Sequence, residues 1–381
     1  MCRLFCSIAL LGVGLTASGA PPKVSFTSPL AFPFQYPHGM AAGDFNGDGK
    51  TDLAVLGDHL SVSIFIGKGD GTFRAGHTFK GPANSRQIVT GDFNGDGILD
   101  LVVTAYNTQP MIFLGNGDGS FQPGVSFAAD ITWATVGDFN GDGKLDLAGT
   151  NNYGSVYGEV SIILGNGDGT FQPPTTLAVG TNPDLIAVAD FNGDGALDLA
   201  VTDFKSPNVW ILLGQGDGTF RAPVGYPLPF YFGNVQVTVV AGNFTASGNQ
   251  DLAIGTALGI AILIGAGDGT FSPGASYPGY AAGYGMAALA KDGDVDLAVF
   301  HDTSDQPPGI SVLAGNGDGT FQPAVSYTGI GPPAGPPVVA DFNGDGYPDV
   351  AVACEYPGPR TGSVMVLLGG PGGFPTTLRR P

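Results

Sequence analysis

The stretch DFNGDGKTDLAV, from Asp44 to Val55, returns as DFNGDGILDLVV at Asp92, DFNGDGKLDLAG at Asp138, DFNGDGALDLAV at Asp190 and DFNGDGYPDVAV at Asp341. Two decayed copies, NFTASGNQDLAI from Asn243 and ALAKDGDVDLAV from Ala288, fill the gap between the fourth and fifth. Successive copies start 48, 46, 52, 53, 45 and 53 residues apart. After each copy comes an apolar run and then GNGDGTFQP or a relative of it, whose phenylalanine falls at Phe73, Phe121, Phe171, Phe220, Phe271, Phe321 and Phe374. Two motifs alternating seven times define seven units of one architecture.

One unit decodes into four short strands. Around Asp190 these are Leu185 to Ala189, Leu199 to Thr202, Asn208 to Leu213 and Phe220 to Tyr226, separated by the DFNGDGALD loop, a variable connection and the GQGDGT hairpin. Short runs of β-formers between Gly, Asp, Asn and Pro clusters are strand signals, and no stretch sustains a helical apolar period. Seven four-stranded antiparallel units of this length predict an all-β fold, a seven-bladed β-propeller. Its closing strand can come from either end. Phe26 to Phe32 resembles the fourth strands, and so does Phe374 to Leu378.

The loop from Asp44 to Asp52 presents side-chain oxygens at positions 1, 3, 5 and 9, with a backbone carbonyl at position 7. The expected metal ligands are Asp44, Asn46, Asp48, Lys50 and Asp52, then Asp92, Asn94, Asp96, Ile98 and Asp100. The third and fourth sets are Asp138, Asn140, Asp142, Lys144 and Asp146, and Asp190, Asn192, Asp194, Ala196 and Asp198. Asp341, Asn343, Asp345, Tyr347 and Asp349 complete the intact loops. Hard oxygens in that number suit Ca²⁺, whereas Zn²⁺ would draw on His or Cys, which these loops lack. Val55 stands where an EF-hand needs its bidentate Glu, and strands replace the flanking helices. The competing reading is a set of Asn/Asp/Gly turns without metal. Against it, three carboxylates folded together repel unless a cation sits among them, so about five Ca²⁺ are expected, one per intact loop. The copy at Asn243 keeps one carboxylate and the copy at Ala288 lacks positions 1 and 3, so both are expected to bind weakly or not at all. Asp70, Asp118, Asp168, Asp217, Asp268 and Asp318 sit in Asp-Gly hairpins that need no metal.

The chain of 381 residues carries 33 acidic against 14 basic residues, a net −19. Only Glu159 and Glu355 are glutamates. Such a bias toward the shorter acid fits turn formation and ion ligation, and the negative charge argues against a nucleic-acid partner. Residues 1–20 read as a secretory signal peptide, with Arg3 ahead of the apolar run Leu4 to Leu15 and Ser18-Gly19-Ala20 as a small-residue cleavage site. The propeller then occupies 21–381, in a secreted or periplasmic protein without a membrane span, taken as a monomer. Cys354 alone remains beyond the leader, so no internal disulfide is possible.

On these repeats the chain resembles the FG-GAP, or VCBS-type, repeat family, whose blade type also builds the integrin α-subunit propeller. The likeness covers almost all of residues 26 to 378. It implies one calcium loop between the first and second strands of a blade. The family includes adhesion modules, fungal lectins and a few lyases, so it leaves activity open.

Antiparallel strands put the Asp-rich loops and the GNGDGT hairpins on one face and the irregular connections on the other. The second face carries Tyr106, Tyr153, Tyr157, Phe204, Phe230, Tyr231, Phe232, Tyr280, Tyr284 and Tyr356, each able either to stack on a ligand or to pack over a blade. Tyr231 and Tyr284 are the leading ligand-binding candidates. His38, Arg86, Thr132 and Asp184 each lie six residues before their loop and are placed at the channel mouth. His38 and Arg86 join the ligand candidates. There is no G-x-S-x-G motif, Cys/His pairing or His metal site. The favoured function is a calcium-binding, non-catalytic binding or adhesion module for a protein or carbohydrate; the alternative is an extracellular lyase or hydrolase acting on carbohydrate at the channel mouth.

Overall fold

The second strands are buried along most of their length, and wholly so in Asp52–Gly57, Asp100–Ala105, Asp198–Asp203 and Asp251–Thr256, so both of their faces must pack. Alternate residues therefore serve different neighbours. Leu53 and Val55 join one apolar cluster, while Ala54 and Leu56 join another. The structure, a computed structural model, describes residues 24–26, 30–151, 158–229, 237–280, 285–291, 294–301, 308–328, 330–355 and 362–371. Within them, seven antiparallel four-stranded sheets form the blades. The sole helical turn among the described residues is Asp58–Leu60.

Blade 1 comprises Met40–Gly43, Asp52–Gly57, Ser61–Gly67 and Phe73–Lys80. Blades 2 to 6 follow in the same order. First strands touch first strands around a closed ring and line the axis. Seven apolar clusters occupy the seven joints between blades. The core is thus a ring of joints, and sheet-on-sheet burial is what holds the blades together.

The N-terminus closes the ring. Leu30–Phe34 pairs with Gly362–Leu367 as the outer strand of blade 7, alongside Val338–Ala340 and Asp349–Glu355. Val24–Phe26 extends this contact onto Gly369–Pro371. Of the two candidate closing segments, the N-terminal one is seen to pair, in the stretch 30–34; residues 374–378 and the leader lie outside the described residues.

Paired phenylalanines lock six of the seven joints on the loop side. The loop Phe of one blade meets the hairpin Phe of the next in the pairs Phe45–Phe121, Phe93–Phe171, Phe139–Phe220, Phe191–Phe271, Phe244–Phe321 and Phe342–Phe73. Their ring centroids are 5.5 to 6.0 Å apart. Phe271 also meets Tyr226 at 5.6 Å. Truncating Phe271 to Ala is expected to cost about 3 kcal/mol, read as a lower denaturation midpoint; an unchanged midpoint would mean that the joint repacks freely.

Candidate metal-binding loops and the opposite rim

The aspartate at position 1 of each loop organises the coil. Asp92 Oδ1 accepts from Gly95 N at 2.7 Å and Asp96 N at 3.1 Å, and its Oδ2 accepts from Gly97 N at 2.8 Å. Asn94 Oδ1 takes Asp96 N at 3.0 Å, and Asp96 Oδ1 takes Ile98 N at 2.8 Å. The loops at Asp44, Asp138, Asp190 and Asp341 repeat this pattern. The turn requires left-handed backbone at Gly95 and Gly97, with φ of 74° and 84°, where a side chain would be strained.

Position 9 does something the sequence did not reveal. Asp100 is fully buried, Phe93 N donates to its Oδ2 at 2.9 Å and Gly115 N to its Oδ1 at 2.8 Å. It therefore ties the loop to the end of the third strand. Asp52, Asp146, Asp198 and Asp349 make the equivalent pair of bonds. Asp251 and Asp296 keep the strand bond in the two decayed copies, so this brace outlasts the loss of the position-1 carboxylate.

Burial raises the pKa of Asp52, Asp100, Asp146, Asp198 and Asp349 despite their amide donors, and the two other loop carboxylates add repulsion. Asp349 reaches about 6. Of the carboxylates in the five intact loops, Asp142 alone has an ion-pair partner among the described residues, Lys144 Nζ at 3.5 Å. Among those residues no three His, Cys, Asp or Glu side chains converge as a metal cluster, because each loop carboxylate is turned onto amides. An ion would draw on the remaining lone pairs of positions 1, 3, 5 and 9 and the carbonyl at 7. That donor set is all hard oxygen and fits Ca²⁺.

A raised native pKa means that the folded chain holds those protons more tightly than the unfolded one. In chelator, stability is therefore expected to be highest near pH 4 and to fall as pH rises toward 6. Thermal melts in EDTA across that window test this; stability rising with pH would contradict it.

The two decayed copies are built differently. In blade 5, Thr245 Oγ1 bonds Asp251 Oδ2 and Ser247 Oγ, each at 2.9 Å. In blade 6 the strands continue to Lys291 and Asp294, paired with one another, so no nine-residue loop exists there. The hairpin aspartates are committed as turn caps: Asp118 Oδ1 accepts from both the amide and the hydroxyl of Ser120, bonds that lower its pKa.

Hairpins and loops share a face, as expected from topology, and are stitched together across the joints. Gly119 N donates to Phe45 O, Gly169 N to Phe93 O, Gly218 N to Phe139 O, Gly269 N to Phe191 O, Gly319 N to Phe244 O and Gly71 N to Phe342 O, at 2.9 to 3.1 Å. Every loop thus holds the hairpin of the next blade. An open cleft of ≈ 540 Å³ lies between two such units, lined by Asp138, Gly141, Asp194, Gly195, Gln215 and Gly216 among others.

On the opposite face, Tyr231 and Tyr284 lie outside the described residues. Of the four mouth residues, Thr132 and Asp184 are buried at joints, where their carbonyls accept from Thr104 Oγ1 and Thr150 Oγ1. Gly39, the residue after His38, comes against the Arg86 backbone: a Cβ there would lie 2.8 Å from Arg86 O. His38 Nδ1 donates to Tyr36 O at 3.0 Å, and the Arg86 guanidinium lies 5.7 Å from the Tyr106 ring centroid. Cys354 is buried and its thiol is pushed up to about 12, so it supplies no thiolate at neutral pH.

Seven blades with Asp-rich loops in most of them define a repeat propeller. The chain belongs to the FG-GAP-like repeat family, whose model matches residues 44–103, 92–149, 138–201, 190–254 and 289–352, more than half of its length. No curated protein matches it. A solved Agrocybe aegerita lectin, reported for specific recognition of non-reducing terminal N-acetylglucosamine, is similar at 20% identity and TM-score 0.56, over 79% of this chain and 80% of that one. The BP39L lectin from Burkholderia pseudomallei is similar at 16% identity and TM-score 0.63, over 84% and 94%. BBS1N, solved in complex with ARL6DN, is similar at 12% identity and TM-score 0.63, over 92% and 97%. At these identities the likeness is one of fold.

Proposed function

We propose that this chain is a secreted, calcium-stabilised binding module that recognises carbohydrate through the face opposite its Asp-rich loops. The observation that carries the calcium part is the set of buried position-9 carboxylates. Each is repelled by the two other carboxylates of its loop, and only the Asp138–Asp146 loop has a cation paired to any of its three, among the described residues. A divalent ion would turn that repulsion into attraction while filling the oxygen donors. Ca²⁺ would be held by positions 1, 3, 5 and 9 and the carbonyl at 7 of each intact loop, and it supplies cross-bracing, not chemistry. Its binding needs the carboxylates ionised, so in saturating calcium the pH trend described above for chelator reverses.

The binding part is supported by two lectins among the similar folds. It is also supported by the division of labour between faces: the loop face repeats one acidic unit, while the other differs in every blade. Thr132 and Asp184 sit buried at joints, which weakens the alternative of a catalytic ring at the channel mouth. No helix among the described residues is long and apolar enough to cross a membrane. A glycan array probed with and without calcium tests the reading. Selective glycan binding, lost only where chelation unfolds the ring, supports it; binding of no glycan by folded protein overturns it.

A further inference from the structure

We propose that Arg86, laid against Tyr106 on the face away from the Asp-rich loops, is a recognition site for the carboxylate of an acidic saccharide, a uronate within a glycan. This deepens the carbohydrate-binding reading and rests on it.

Arg86 belongs to the first strand of blade 2, Ser85–Gly91, which runs into the loop at Asp92. It therefore stands at the strand end remote from the loops, beside the axis that the first strands line. Arg86 is exposed. In a chain with 33 acidic residues, no carboxylate among the described residues pairs with it. Most of those acids lie in the loops and hairpins of the other face. An anion is thus repelled there and meets a free cation here.

The backbone that carries Arg86 and the segment that carries Tyr106 are also held together. Tyr106 N donates to Asn84 O at 2.9 Å, and Asn84 Nδ2 donates to Tyr106 O at 3.2 Å. Thr108 Oγ1 donates to Ala83 O at 2.6 Å. These bonds clamp the turn before Arg86 to the connection that carries the ring. On the other flank, Ala134 N donates to Gln87 Oε1 across the joint at 2.7 Å. Contact with the ring face, at 5.7 Å from its centroid, draws the guanidinium toward Tyr106. A carboxylate can then be met by two parallel N–H groups with little ordering cost.

The test uses trigalacturonic acid and its methyl ester, in which each carboxylate is replaced by a neutral ester of nearly the same shape, with the folded full chain by calorimetry at low salt. Wild type is expected to bind the acid roughly tenfold or more tighter than the ester. Arg86→Gln abolishes that preference with its thermal midpoint and calcium uptake unchanged, and Tyr106→Phe, which keeps the ring, retains it. Equal affinity for acid and ester, or a preference that survives Arg86→Gln, overturns the proposal. A preference seen only when calcium is present does so as well, because the carboxylate is then held by the ion. An acidic peptide bound equally well, with the same Arg86 dependence, overturns the saccharide assignment. If the array shows only neutral glycans bound independently of Arg86, this site falls while the binding-module reading stands; if no glycan binds at all, both fall.

Discussion

Stripping calcium is expected to lower the thermal midpoint of the protein by on the order of 20 °C. An ion held only by the native chain adds RT ln(1 + [L]/Kd), about 2.7 kcal/mol at a hundredfold excess over Kd. Five intact loops acting independently would add roughly 13 kcal/mol, and a chain of this size gives roughly 2 °C per kcal/mol. The effect is large because little else cross-links the ring. Cys354 is the one cysteine among the described residues, and blade 7 is closed by hydrogen bonds to Leu30–Phe34. Each loop also grips the next blade through its Phe carbonyl, so a loosened loop loosens a joint. Melting in EDTA and in millimolar calcium checks this. Coincident curves would mean that the amide network alone holds the loops.

The second large effect separates two roles within one loop. Asp100→Ala leaves the buried amides of Phe93 and Gly115 without acceptors, at a cost of roughly 2–5 kcal/mol whether or not calcium is present. Asp96→Ala removes an exposed carboxylate, proposed here as a ligand. It is expected to weaken the ion of that loop roughly tenfold or more and to change little in EDTA. Asp118→Ala touches only a hairpin cap and is expected to leave calcium affinity unchanged. Denaturation and calcium titration of the three variants give the order. If Asp100→Ala is harmless in EDTA, the brace at position 9 is not structural.

Much of this was legible from the repeats. The seven units, their four strands and the shared face of loops and hairpins follow from period and antiparallel order, because short-range turn chemistry fixes them. Other features join residues far apart in the chain, and no local pattern announces them. Gly119 meets Phe45, and Thr104 meets Thr132, only once blades stand side by side. The same holds for the closing strand: Phe26 to Phe32 and Phe374 to Leu378 fit it equally well in sequence, and it is Leu30–Phe34 that pairs with Gly362–Leu367. The position-9 aspartates were read purely as ligands because spacing shows which oxygens are near but not which amides claim them. Thr132 and Asp184 looked like rim residues for a similar reason: position along a strand does not say which blade covers it.

The account stands most directly on one titration. Chelated and dialysed protein, refolded where needed and titrated calorimetrically with calcium, is predicted to take up about five ions per chain, one for each of the loops at Asp44, Asp92, Asp138, Asp190 and Asp341. Uptake of about two ions or fewer, with the fold intact, would contradict it by showing that the Asp-rich loops are hydrogen-bonded turns that hold their shape without a cation.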